Sequence, residues 1–132
     1  MSIDKIDKNI NFLIVDDAST IQQQITELLS GLGFKHFHYA NDGEHAFKMM
    51  EKLREAKTTV DMILLDINMP NMNGIDFLKV ARAIFKDVPV IMVSAEGDSS
   101  TVMDAINAGA NQYILKPVTE KKLVDKLVKT LT

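Results

Sequence analysis

The chain has 132 residues, 46% of them hydrophobic and 25% charged, the proportions of one globular domain large enough to bury a core without disulfides or a structural metal. With 15 basic against 18 acidic side chains and a formal net charge of −3, it has no electrostatic footprint for nucleic acid or for an anionic membrane. Cysteine is absent, which excludes disulfides and thiolate-bound metal and fits a reducing cytoplasm. Taken in chain order, Met1 to Asn9 is polar and mixed in charge, lacks the apolar stretch of a signal peptide, and is expected to form a tail ahead of a core from residue 10 to 132. No run approaches the roughly 20 apolar residues of a membrane span, so a cytoplasmic protein without membrane insertion is expected.

The apolar run Phe12–Val15 predicts the first strand. Ile21, Ile25, Leu28, Leu29 and Leu32 then share one helical face, with Ser19 placed to cap that helix and Gly33 to follow its end. A second strand over Phe34–Tyr39 is broken by Lys35, His36 and His38. Asn41-Asp42-Gly43 marks a turn, and Ala46, Met49, Met50 and Leu53 form the next helical stripe. Met62–Leu65 predicts the third strand, Asn73-Gly74 the next turn, and Ile75, Leu78, Ala81 and Phe85 the third helix. Pro89 starts a fourth strand with Val90–Val93, where a missing N–H is tolerated. Val102, Ala105, Ile106 and Gly109 form a small-residue stripe, Tyr113–Leu115 a fifth strand, and Leu123, Val124, Leu127, Val128 and Leu131 the last helix.

Five strands each followed by a helix imply an α/β fold, a parallel sheet covered by helices on both faces. The first, third and fourth strands are solidly apolar, as strands buried on both sides are, whereas the second and fifth carry polar residues and suit the edges. The strand order 2-1-3-4-5 places them there, which is the doubly wound, flavodoxin-like arrangement. No repeat or linker interrupts it, so one domain over residues 1–132 is expected.

Ligands in such a sheet bind beyond the carboxyl ends of the strands, where strands 1 and 3 part. Asp16 and Asp17 follow the first strand, Asp66 the third, Ser94 the fourth and Lys116 the fifth. Each alone reads blandly: Asp16 or Asp17 as a helix cap, Asp66 before Met-Pro as a turn, Lys116-Pro117 as surface. Together they bring three carboxylates, a hydroxyl and an ammonium to one rim. Three close carboxylates repel, and a divalent cation removes the conflict; all-oxygen ligation favours Mg²⁺. With Lys116 nearby, a phosphoryl group becomes tolerable, and a carboxylate can be its nucleophile. Asp66 is the natural acceptor because its strand is central, and Ser94 can hydrogen-bond a phosphoryl oxygen.

Val-Asp-Asp at 15–17, Asp-Ile-Asn-Met-Pro-Asn-Met-Asn-Gly at 66–74, Val-Ser-Ala-Glu at 93–96 and Ala-Gly-Ala-Asn-Gln-Tyr-Ile-Leu-Lys-Pro at 108–117 resemble the signature blocks of response-regulator receiver domains. The likeness runs from about Asn11 to the end. Asn68, Glu96 and Tyr113 match the pattern of the stand-alone chemotaxis regulators. The resemblance implies a two-component phospho-acceptor switch, not an enzyme of turnover, with intrinsic Mg²⁺-dependent autophosphorylation and autodephosphorylation. It implies that Asp66 is the phospho-acceptor and that Asp16, Asp17, Asp66 and the backbone carbonyl of Asn68 hold Mg²⁺. It also implies that Ser94 is the switch hydroxyl, Tyr113 an aromatic that moves inward, and Lys116 the partner of the phosphoryl group, with a cis bond to Pro117. Asn68 and Glu96 are expected to modulate hydrolysis.

The implied partners are a sensor histidine kinase as donor and an effector, such as a flagellar motor switch protein, bound through the face made by helix 4, strand 5 and helix 5; the chain is expected to be a monomer. A phosphorelay intermediate that passes its phosphoryl group to a histidine phosphotransfer protein is the alternative. A phosphatase with a cap domain, a flavodoxin-like cofactor carrier and a transcription factor fit less well, because no segment supplies a cap or a DNA-binding domain and Asp16-Asp17 would repel a cofactor phosphate. Two departures stand out: Val118 where phenylalanine often follows Lys-Pro, expected near the output face, and Asn73 where aspartate is common. His36 and His38 read as exposed edge residues rather than metal ligands, the eight methionines mainly as core, and Lys121, Lys122, Lys126 and Lys129 as a solvated or partner-facing helix surface.

Overall fold

A computed structural model describes residues 2–132. Strands β1 (Asn11–Val15), β2 (His36–Ala40), β3 (Met62–Leu65), β4 (Val90–Ser94) and β5 (Gln112–Leu115) alternate with helices α1 (Ser19–Gly31), α2 (Gly43–Glu55), α3 (Gly74–Ile84), α4 (Ser99–Ala108) and α5 (Glu120–Leu131). All neighbouring strands pair in parallel, in the order β2-β1-β3-β4-β5, as expected.

The twofold alternation of strand side chains divides the core into two layers. Phe12, Ile14, Met62, Leu64, Ile91 and Val93 face α1 and α5, where they meet Ile25, Leu29, Leu123 and Leu127. Leu13, Val15, Ile63, Leu65, Val90 and Met92 face α2, α3 and α4, where they meet Ala46, Met50, Phe77, Leu78, Ala81 and Ala105. Every residue of β3 and β4 is buried, which explains why both are apolar throughout except for Ser94 at the end of β4. Each large side chain so buried contributes about 1.5–3 kcal/mol relative to exposure.

Several local expectations are corrected. Ser19 does not cap α1; Ala18 occupies the cap position without a side-chain bond, and the carboxylate of Asp16 accepts from the Ala18 N–H at 2.9 Å instead. The second strand starts at His36, and Phe34 is drawn into the core, edge-on to Phe12 at 4.9 Å. The fourth strand starts at Val90, with the Pro89 carbonyl just before it accepting from Ile63 N–H at 2.9 Å. The N-terminal segment is no free tail. Ile3–Lys5 forms a 3₁₀ turn whose flanking Ile6 is buried with the α1/α5 layer, and Lys8 Nζ binds the carbonyls of Ile3 and Ile6 at 2.6 and 3.0 Å. On α4 Ile106 points outward rather than into the stripe. Val118 is buried in the core, not on an output surface, so a smaller residue there is a packing choice. Gly33 adopts φ +102°, a left-handed conformation that favours glycine just beyond a helix.

Candidate phospho-acceptor site

The backbone ladder aims the chemistry. Each polar residue sits at the last paired position of its strand or one beyond it: Asp16 N–H bonds the Ala40 carbonyl at 3.1 Å, Asp66 N–H the Val15 carbonyl at 2.9 Å and Lys116 N–H the Ser94 carbonyl at 2.8 Å. The side chains therefore emerge together at the carboxyl rim. Asp16 is 2% exposed, Asp66 5% and Ser94 0%, while Asp17 is open to solvent. Carboxylate oxygens of Asp16, Asp17 and Asp66 lie within 4.8 Å of one another, the only such group with metal-binding spacing among the described residues.

Lys116 Nζ lies 3.0 Å from Asp16 Oδ2 and 3.6 Å from Asp66 Oδ2. One ammonium cannot neutralise three carboxylates. Burial, and then the charge of Asp16, push the Asp66 carboxyl above the ordinary range, against the opposing pull of Lys116 and of the Ile67 N–H, which bonds Asp66 Oδ1 at 2.8 Å. This surplus of clustered, hard oxygen donors is the chemistry a divalent cation such as Mg²⁺ fits.

The loop after β3 is held from two sides. At Gly74 an added Cβ would lie 2.0 Å from the Asp66 carbonyl oxygen, so the start of α3 approaches Asp66 as only glycine permits. The Asn-Gly pair therefore reflects close approach as well as turning. Asn71 takes φ +65°, and its Nδ2 donates to Asp42 Oδ2 at 2.8 Å; Asp42 in turn caps α2 through the His45 N–H at 2.8 Å. These bonds hold the Asp42 carboxyl below the ordinary range, the His45 N–H first.

At the mouth, Asn68 Nδ2 donates to Glu96 Oε1 at 3.0 Å. Ser94 Oγ accepts from the Glu96 N–H at 3.1 Å. Tyr113 is half-buried, with its hydroxyl donating to the Glu96 carbonyl at 2.5 Å, and burial pushes that hydroxyl up. The Lys116-Pro117 bond is cis. Thus Asp16, Asp17, Asp66, Asn68, Ser94, Glu96, Tyr113 and Lys116 gather at one end of the sheet.

The family described as the response regulator receiver domain matches residues 12–128. The chain belongs to the response-regulator receiver domain family. This receiver domain is 40% identical over 120 residues to chemotaxis protein CheY1 of Helicobacter pylori strain J99, covering 89% of this chain and 94% of that protein. It is 41% identical over 126 residues to chemotaxis protein CheY-3 of Vibrio cholerae, covering 94% and 93%. Among solved structures, the CheX-CheY-BeF3-Mg²⁺ complex from Borrelia burgdorferi matches with a TM-score of 0.90 at 30% identity, over 100% of this chain and 99% of that one. CheY-like receiver domains are phospho-acceptor switches of two-component and chemotaxis signalling rather than classical enzymes, and they bind Mg²⁺ at an acidic pocket.

Other expected features take smaller roles. His36 is exposed and His38 half-buried on β2, with His38 Nε2 3.4 Å from Asn11 Oδ1; neither joins the acid cluster. Lys122 Nζ bonds the carbonyls of Leu115 and Pro117 at 2.9 and 3.1 Å, so it ties α5 to β5. No helix among the described residues is long and apolar enough to cross a membrane. Two residues escaped the motif reading. Gln22 and Arg82 lie outside the signature blocks, and their hydrogen-bond partners are distant in sequence.

Proposed function

We propose that residues 1–132 form a single receiver domain that works as a CheY-like chemotaxis switch, phosphorylated on Asp66 by a sensor histidine kinase and binding an effector protein in that state. The observation that carries this reading is the buried Asp66 carboxylate, facing Asp16 and Lys116 with Asp17 beside it. Asp16, Asp17, Asp66 and the Asn68 carbonyl would hold Mg²⁺. Bound there, the cation supplies neutralisation of the carboxylates and of the phosphoryl oxygens.

The chain's own residues account for the remaining steps. One Asp66 oxygen attacks the phosphorus of a phosphohistidine; the P–O bond forms as the P–N bond breaks, and the imidazole leaves with a proton from solvent. Lys116 offsets the charge on the transferred group. Ser94 Oγ accepts from Glu96, which leaves its own hydrogen free to donate to a phosphoryl oxygen. Water later attacks phosphorus, the P–O bond to Asp66 breaks, and inorganic phosphate leaves with the carboxylate restored. The Asn68–Glu96 bridge spans the mouth and governs water's approach.

The switch lies in the segment Ser94–Glu96, where a pull on the Ser94 hydroxyl is felt at the Glu96 carbonyl that holds Tyr113. Output passes to the face of α4, β5 and α5. Ile106 and Leu115, 40% and 45% exposed, offer it apolar contact area. The Borrelia relative was solved in complex with CheX, which supports a protein partner, and a flagellar motor switch component is the expected one here.

The test is phosphorylation by a small-molecule phosphodonor, with and without Mg²⁺, followed by intact-mass spectrometry of wild type and Asp66→Asn. A Mg²⁺-dependent adduct of one phosphoryl group, absent from Asp66→Asn, is expected. No adduct on folded wild type under rapid trapping would overturn the reading.

A further inference from the structure

The turn that carries the acidic pair has one side-chain anchor of its own, Asp16 Oδ1 accepting from the Ala18 N–H at 2.9 Å. Asp17 is exposed, and among the described residues its carboxylate takes part in no hydrogen bond or ion pair, so its position is set by the backbone on which it stands. That backbone leads into α1 without a side-chain cap at Ala18. A second hold comes from one turn along the helix. Gln22 Nε2 donates to the Asp16 carbonyl at 2.7 Å, and it also lies 3.2 Å from the Ala40 carbonyl and 3.2 Å from Asn41 Oδ1. The shortest of the three contacts fixes the peptide that joins Asp16 to Asp17. The other two tie that peptide to the end of β2, whose Ala40 carbonyl also receives the Asp16 N–H at 3.1 Å.

We propose that Gln22 is a positioning residue for the metal site: its amide locks the Asp16–Asp17 peptide against the end of β2 and so aims the Asp17 carboxylate at the cluster with Asp16 and Asp66. The inference rests on the reading of that cluster as a Mg²⁺ site. Gln22 touches no reacting atom. It acts because an exposed carboxylate loses side-chain entropy on binding a cation, and a backbone already fixed reduces what must be ordered. Groups that orient ligands from outside the coordination shell commonly alter metal affinity by 10–100-fold. For a single neutral amide on a backbone carbonyl, the low end, about tenfold, is expected.

Gln22→Met keeps length and helix propensity and removes the donor. Gln23→Met is the matched control, since among the described residues the Gln23 side chain bonds only Glu27 of its own helix, at 3.3 Å. Mg²⁺ affinity is measured by calorimetric titration, and the melting temperature by scanning calorimetry without metal. The expected result is Mg²⁺ bound about tenfold more weakly by Gln22→Met than by wild type and Gln23→Met, with metal-free melting temperatures of the two variants alike. Equal Mg²⁺ affinity, or a loss matched by a lower metal-free melting temperature in Gln22→Met alone, would overturn the positioning role and leave the Mg²⁺ site standing. Failure of wild type itself to bind Mg²⁺ would overturn both.

Discussion

At the scale of single residues, the site is a collection of charges held where they would not choose to be. Asp66 is the clearest case, because burial and Asp16 raise its pKa while Lys116 only partly compensates. A carboxyl raised on folding favours the folded state only while protonated, and it costs stability as pH rises through its folded pKa. Asn at this position carries no charge at any pH. Without divalent cation, Asp66→Asn is therefore expected to melt above wild type near neutral pH. The gap should close as pH falls below the ordinary aspartate value of 3.8. With Mg²⁺ added, the order should reverse, because only wild type gains the full set of carboxylate ligands. Thermal scans from acid to neutral pH, with and without Mg²⁺, measure all of this; a variant less stable than wild type at neutral pH without metal would contradict it.

Between elements, long side chains tie ends together that the sheet alone leaves loose. Arg82, on α3, does this on the flank of the sheet. Its Nε and Nη2 reach the Gly109 carbonyl at 3.1 and 2.8 Å, beyond the C-terminus of α4. Its Nη1 reaches Val88 O at 2.6 Å and Phe85 O at 3.2 Å in the connection to β4, and Nη2 reaches Asn111 Oδ1 at 3.1 Å. Gly109 itself takes φ +116°, closing α4 in a left-handed cap. Arg82→Met keeps the apolar stem but leaves these part-buried carbonyls without donors, each such loss costing about 1–3 kcal/mol before water compensates. A net destabilisation of about 2–3 kcal/mol is expected in urea titration, with the Mg²⁺ affinity little changed because the acid cluster lies at the far ends of β1 and β3. Only the tertiary contacts make this residue important; by sequence it is one basic residue flanking the apolar stripe of an amphipathic helix.

For the molecule as a whole, the proposed function requires that a charge on Asp66 become a signal on α4, β5 and α5. Reversing a 1:99 preference requires about 5.5 kcal/mol of differential stabilisation. In that proposal a charge-assisted bond from Ser94 would supply only part of this, on the order of 1.5–3 kcal/mol. The remainder has to come from repacking along Ser94–Glu96 and around Tyr113, and from the effector itself. Tyr113 is half-buried, its hydroxyl on the Glu96 carbonyl. Tyr113→Phe removes that bond, worth about 1 kcal/mol net, and so should weaken effector binding by the activated protein about fivefold without altering acyl phosphate formation. Calorimetric titration of the beryllofluoride-loaded variant with the effector checks it; unchanged affinity would remove Tyr113 from the switch.

The order of elements, the parallel sheet and the residues of the rim were legible in the amino-acid sequence because their causes are local. Solid apolar runs report strands buried on both faces, helical stripes report one packed side, and a polar residue directly after a strand lands on the carboxyl rim whatever the remaining contacts are. Motif spacing did the rest for Asp16, Asp17, Asp66, Ser94 and Lys116. Four features had no local signature. Ile3 and Ile6 sit in a polar segment and find apolar surface only once α5 is in place. Val118 follows a polar Lys-Pro pair, yet the chain turns it into the core. Gln22 and Arg82 bind carbonyls 18 and 27 residues away, and no periodicity encodes such a meeting. Local propensity and patterning settle what each segment is; hydrogen bonds between segments, which exist only after the layers have packed, decide how firmly the ends of those segments are held around the site.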